Sequence, residues 1–206
     1  MSRARATYKS GETLSWRAAI RAGGVSLALG LAGCGGITLD SYSLTAPRDG
    51  IHGRASTRQM YVTEPVAGSP YDSERIVVTT APGEVAYLKG AQWIERLPRH
   101  IQTMMIQSFE NGRLLRSVGR PGERFVAQVS LNTEIRRFDI DVTSREAIVE
   151  ISAKIIAESS GRIIAARIFS ARTPGSAQDG KSASAALDDA LARTLREIVA
   201  WASAQG

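Results

Sequence analysis

Cysteine and histidine are scarce: Cys34 is the one thiol and His52 and His100 are the two imidazoles in 206 residues. One thiol cannot close an internal disulfide, and three such ligands fall short of a four-ligand zinc site. Neither a metal nor a cofactor is therefore expected. Long apolar runs are missing too. The stretch at residues 22–32 is small or apolar throughout but only eleven residues long, about half of the ~20 that a membrane-spanning helix needs. A basic stripe is also absent. Of the net charge of +6, most lies in residues 1–33, where Arg3, Arg5, Lys9, Arg17 and Arg21 face Glu12 alone; the remainder has 21 basic and 19 acidic residues. With charge so balanced, phosphate-backbone binding by counterion release has no footing, and no nucleic-acid partner is expected. No G-x-S-x-G elbow occurs, and neither histidine sits in a recognisable setting for a nucleophile. What remains, 43% hydrophobic and 22% charged, is the composition of a single soluble-type globular core.

The basic start followed by the short apolar stretch has the layout of a secretory leader. It ends at Leu31-Ala32-Gly33-Cys34, which resembles the lipobox of bacterial lipoproteins, where the leader is cut before the cysteine and the cysteine is acylated. Each buried methylene contributes about 0.8 kcal/mol, so several acyl chains on one residue would hold a domain stably at a bilayer. Gly35, rather than an aspartate, follows the cysteine, and in Gram-negative lipoproteins this goes with transfer to the outer membrane. The expected organisation is a cleaved signal peptide at residues 1–33, an acylated Cys34 with tether and candidate first strand at 34–58, and one periplasmic α/β domain at 59–206.

Within that domain, β-branched and aromatic residues predict strands over residues 58–65, 74–80 and 84–88, the last two joined by a turn at Ala81-Pro82-Gly83. Leu97, Ile101, Met104, Met105 and Phe109 fall at helical spacing and predict a helix within residues 93–110, with Arg96, Arg99, Gln102 and Glu110 off its apolar stripe. Pro98 either opens or kinks it, and Gly112 is the expected left-handed cap. The methionine pair reads as core filling, and His100 as a surface or packing residue. Between residues 125 and 171 the period becomes two and predicts three antiparallel strands. Val129, Leu131, Thr133 and Ile135 share one face, but after Arg136-Arg137 the apolar set moves to Phe138, Ile140 and Val142, which requires a bulge or crossing of faces there. Leu187, Leu191, Leu195, Ile198 and Ala202 mark a final amphipathic helix, supported by Asp189/Arg193 and Arg193/Glu197 pairs. The fold expected is α+β: a two-layer sandwich of a largely antiparallel sheet with two helices packed on one face.

Two features bear on chemistry. Gly175-Ser176-Ala177-Gln178-Asp179-Gly180-Lys181-Ser182 matches the phosphate-loop pattern G-x-x-x-x-G-K-[ST], with Lys181 and Ser182 in the phosphate- and magnesium-binding places. A nucleotide site also needs a parallel sheet and a Walker-B aspartate. The strands before it are antiparallel by pattern and only one helix follows, so a surface loop that starts a helix is the better reading. Asp139 and Asp141 share a strand face beside Arg136 and Arg137, and are read as a solvated ion cluster rather than an acid/base pair.

In order along the chain stand the lipobox, Tyr42-Ser43-Leu44, Arg75-Ile76-Val77-Val78, Val85-Ala86-Tyr87-Leu88, Gln92-Trp93, Arg96-Leu97-Pro98, Phe138-Asp139-Ile140 and the closing helix. In that order the chain resembles the ABC-type transport auxiliary lipoprotein family, which includes paraquat-inducible protein C-like lipoproteins. The resemblance implies a non-catalytic component of a lipid transport system, anchored at the periplasmic face of the outer membrane. Its implied partners are a mammalian-cell-entry-type periplasmic protein and an ABC permease and ATPase. Tyr87, Trp93, Leu97 and Pro98 would be packing positions, and the open sheet edges are compatible with self-association into a ring. The alternatives are an envelope-assembly adaptor without lipid cargo and, third, a nucleotide binder.

Overall fold

The computed structural model describes residues 39–205. In chain order the elements are β1 (Asp40–Tyr42), β2 (Gln59–Val62), β3 (Val66–Ala67), β4 (Arg75–Ala81), β5 (Glu84–Trp93), α1 (Leu97–Gly112), β6 (Ser117–Gly119), β7 (Val129–Asp141), β8 (Glu146–Ala157), β9 (Ile163–Pro174) and α2 (Gly180–Ala204). All nine strands form one mixed sheet organised around β7. On one side of β7 the antiparallel ladder runs through β8 to β9. On its other side β2, β3 and β4 lie end to end, each parallel to a different stretch of β7. β5 returns antiparallel on β4, β1 runs parallel to the last residues of β5, and β6 runs parallel to β2. The long ladders are antiparallel, as the alternation implies; the short parallel pairings join strands far apart in sequence.

The bulge expected near Arg136 is present. Ile135 pairs with Ile151 but Arg137 pairs with Glu150, so Arg136 is the extra residue and the inward set passes from Val129, Leu131 and Ile135 to Phe138 and Ile140. These side chains meet the apolar stripes of both helices, including Ile101, Met105, Leu187, Leu191 and Ile198, all buried. Trp93 and Phe138 meet edge to face at 5.8 Å, as do Phe169 and Trp201 at 5.4 Å. Burying one such side chain contributes about 1.5–3 kcal/mol, so this interface is where the fold's stability is concentrated.

Local details correct several expectations. Trp93 ends β5, and α1 begins only at Leu97, with Pro98 in its first turn where its missing N–H is harmless. The left-handed residue after α1 is Arg113, φ 51°, whose N–H donates to the Phe109 carbonyl. Gly112 is instead the last residue of the helix, and a Cβ there would stand 2.7 Å from Ile51 Cγ2. Gln102 is buried rather than facing outward: its Nε2 donates to the Val62 carbonyl at 2.9 Å, and its Oε1 accepts from Arg120 Nε. Tyr87 is not a packing residue; it is exposed on the sheet face away from the helices, with the Arg75 guanidinium 4.9 Å from its ring centre. Residues 43–58 contain no strand, yet they are pinned. Thr45 donates through its N–H and hydroxyl to the two Asp188 oxygens, Asn111 to the Pro47 carbonyl and Arg196 to the Asp49 carbonyl.

Candidate functional site

The phosphate-loop pattern lies in the loop from β9 to α2, and its residues are committed to the chain itself. Asp179 caps α2: its carboxylate accepts from the Ser182 N–H at 2.8 Å and from the Ser182 hydroxyl at 2.9 Å. A carboxylate thus occupies the helix N-terminus where a phosphate would sit, and these donors hold the Asp179 pKa below its ordinary value. The glycines serve packing. A Cβ on Gly175 would stand 2.8 Å from the Ala147 backbone nitrogen, and one on Gly180 would be 2.6 Å from both Ala91 Cβ and Tyr42 Cε2. β9, which leads into the loop, is an edge strand antiparallel to β8, so the parallel frame of a nucleotide site is missing around the motif.

The paired aspartates depart furthest from expectation. On the sheet face opposite the helices, Asp139 is fully buried, not solvated. Its carboxylate accepts from Arg137 Nε at 3.1 Å and Nη2 at 2.7 Å, from the Thr79 hydroxyl at 2.8 Å and from the Tyr71 hydroxyl at 3.1 Å. Bidentate pairing with two further donors satisfies a buried carboxylate. Asp141 is partly exposed, contacts Arg137 at 3.4 Å and accepts from the Thr143 and Ser144 N–H groups. The Ser144 amide contributes most to holding its pKa below the usual value. Burial, reinforced by the Asp139 charge, pushes the Tyr71 phenol up to about 12, and the Asp139 hydrogen bond raises the Arg137 pKa. Tyr71 is therefore a donor and Arg137 a fixed cation. The cluster ties the loop bearing Tyr71 to β4 and β7, leaving neither aspartate free as a general base.

His100 is a packing residue, one of the two roles its sequence setting allows. It is 1% exposed, and its Nε2 accepts from the Leu44 N–H at 3.2 Å. Burial lowers the pKa of the imidazole against the opposing pull of Glu95 and Asp188, in keeping with a ring nitrogen that accepts.

The outer sheet face is open. Around the buried cluster runs a cleft lined by Thr79, Pro82, Val85, Arg137 and Ser144, and a second shallow cleft lies among Val66, Glu134, Lys154, Ile156 and Ile163. Val66, Val85, Tyr87, Ile163 and Ile168 are all exposed, while α1 and α2 pack against the other face. Leu31, Ala32, Gly33 and Cys34 lie outside the described residues. Among the described residues no helix is long and apolar enough to cross a membrane. The burial of Asp139 has one sequence signal, its place between Phe138 and Ile140 in mid-strand; its contacts with Tyr71 and Thr79 are 68 and 60 residues away and have no local signature.

With this geometry in place, comparison with known proteins gives a consistent picture. The family model described as the ABC-type transport auxiliary lipoprotein component matches residues 42–199. The uncharacterized protein bll6063 of Bradyrhizobium diazoefficiens is 29% identical over 167 residues, 78% of this chain but 44% of the relative; the chain spans less than half the length of that relative. Among solved structures, protein XCC0632 from Xanthomonas campestris superposes with a TM-score of 0.74 at 27% identity, covering 81% of this chain and 96% of the other. The hypothetical protein CT253 from Chlamydia trachomatis superposes with a TM-score of 0.51 at 12% identity, covering 73% and 98%, a likeness of fold alone.

Proposed function

Because the chain belongs to the family of ABC-type transport auxiliary lipoprotein components, we propose that it is a lipid-anchored, non-catalytic docking subunit of such a transporter. Acylated Cys34 holds a single domain at the periplasmic face of the outer membrane. There it engages a mammalian-cell-entry-type periplasmic protein whose lipid traffic is driven by an inner-membrane ABC permease and ATPase. The observation that carries this reading is the span of the family match, residues 42–199, which runs from the last residue of β1 into α2 and so includes every strand from β2 to β9. The open sheet face supports docking, since a face with exposed apolar side chains and a rigid polar centre is suited to contact. The assignment of both candidate chemical motifs to structural work supports the non-catalytic part.

Affinity capture of the acylated protein from detergent-solubilised membranes, beside Cys34→Ala, tests the reading. The expected result is recovery of a mammalian-cell-entry protein with ABC subunits, weakened in the variant. Recovery of other envelope proteins in their place would overturn the transport assignment and favour an assembly adaptor.

A further inference from the structure

The sheet topology fixes the side from which the chain enters the domain. β1 is parallel to β5, with Asp40 opposite Ala91 and Tyr42 opposite Trp93, so β1 travels away from the end of the sheet where β5 begins. That end carries the β4–β5 hairpin tip, Ala81-Pro82-Gly83-Glu84. Because β4 is parallel to β7, it also carries the β7–β8 turn, and the Val142 N–H donates to the Thr79 carbonyl at 3.0 Å to join the two. Pro82 is exposed there, Val85 is 47% exposed and Val142 45%. Tyr87 stands two residues behind Val85 on the same face. Glu84 and Arg145 balance one another in charge on these two turns.

Six residue steps separate Cys34 from Asp40, a reach of at most about 20 Å. Seven steps along β5 lead from Ala91 back to Glu84, roughly the same length. A bilayer holding acylated Cys34 is thus within reach of the hairpin tip, while the β8–β9 turn, with Ile163 exposed, lies at the opposite end of the sheet.

We propose that the β4–β5 hairpin tip and the adjoining β7–β8 turn form a membrane-contact surface, with Pro82, Val85 and Val142 in the headgroup boundary of the bilayer that carries the anchor. Small apolar side chains at a turn enter that boundary readily, and an amphipathic tyrosine such as Tyr87 suits the headgroup level just above. The surface orients the domain so that the opposite end faces the periplasm. This rests on the acylated-Cys34 reading above.

The test uses the full acylated protein in vesicles of phosphatidylethanolamine with a minor fraction of phosphatidylglycerol. Acylation consumes the Cys34 thiol, so Val85→Cys, Val142→Cys and Ile163→Cys can each carry an environment-sensitive fluorophore at an exposed position that does not disturb folding. The expected result is a blue shift and quenching by spin-labelled lipid at positions 85 and 142, with neither at 163. Co-flotation with the vesicles but no quenching at 85 and 142, or quenching at 163 as well, would overturn the contact surface and leave the anchor standing. Failure to float, matching Cys34→Ser, would overturn the anchor and this surface with it.

Discussion

Phe138 and Asp139 are neighbours on β7, both buried, and point to opposite faces of the sheet. On the helix side, Phe138 sits in an apolar layer shared with Trp93 and the stripes of both helices. On the other side, Asp139 sits beneath Tyr71 and Arg137, and around it the face is open, with Val85, Tyr87 and Ile168 exposed. One face owes its order to excluded water, which is non-directional and tolerates exchange of similar shapes. The other owes its order to a small set of directional bonds, each of which leaves a buried polar group stranded when removed. The second face is the one left open, because the first is covered by the helices.

Substitutions on each side should separate these two kinds of order. Phe138→Ala is expected to cost about 3–5 kcal/mol in urea unfolding, the transfer loss plus the cavity against Trp93. Asp139→Ala is expected to cost about 2–4 kcal/mol, since it strands the Tyr71 and Thr79 hydroxyls and the Arg137 charge. The figure stays below that of a dry ion pair because a third of the Arg137 side chain is exposed. The double change Arg137→Leu with Asp139→Leu should recover part of that loss. If the double variant were no better than Asp139→Ala, the cluster would owe its value to shape rather than to paired charge, and the contrast between the faces would collapse.

A smaller contrast lies within the glycine loop. Gly175→Ala and Gly180→Ala should each cost about 1–3 kcal/mol through overpacking against Ala147 and against Tyr42 and Ala91. Asp179→Ala should cost about 1 kcal/mol as a lost cap, and Lys181→Ala should stay within about 0.5 kcal/mol, as surface substitutions away from structural contacts do. A nucleotide site would invert this order in its ligand response: thermal stabilisation by Mg-ATP that disappears in Lys181→Ala would show that the loop binds phosphate after all.

The limits of sequence reading follow the same division. The β7–β9 ladder, the Arg136 bulge and the α2 stripe are legible because a one-sided burial pattern writes itself locally at period two or 3.6. The Asp189/Arg193 pair, 2.8 Å apart, is likewise a local matter of four-residue spacing. The parallel seating of β2, β3 and β4 along β7 is not legible, since nothing in strands of two to seven residues names a partner so far along the chain. Gly112 and Gly180 look like cap and motif glycines in sequence, yet each is required by a side chain brought from elsewhere, Ile51 and Tyr42. Asp139 misleads for the same reason: local charge predicts solvation, and only the fold brings Tyr71 over it. The candidate lipidation site is legible as a motif, with its mechanism inherited from resemblance.

The smallest effect expected concerns a polar contact on the helix side, His100. Its ring accepts from Leu44, contacts Ser43 Oγ at 3.4 Å, and has Glu95 and Asp188 as nearby carboxylates. Burial lowers its folded pKa below the ordinary 6.5, so as pH falls through that value the unfolded chain takes up a proton that the folded chain does not. The unfolded state then binds more protons, and stability falls as pH drops below 6.5 toward the depressed folded value. His100→Gln, which keeps an acceptor for Leu44, should flatten this slope between about pH 7 and 5 in chemical unfolding. Asp141 and Asp179 are also depressed, but from an ordinary value of 3.8, so their contribution is intact throughout that window and is lost only as pH falls below 3.8. A slope in that window that survives His100→Gln would therefore assign the sensitivity to a group other than this imidazole, and the Leu44 contact would be a packing bond without a titration.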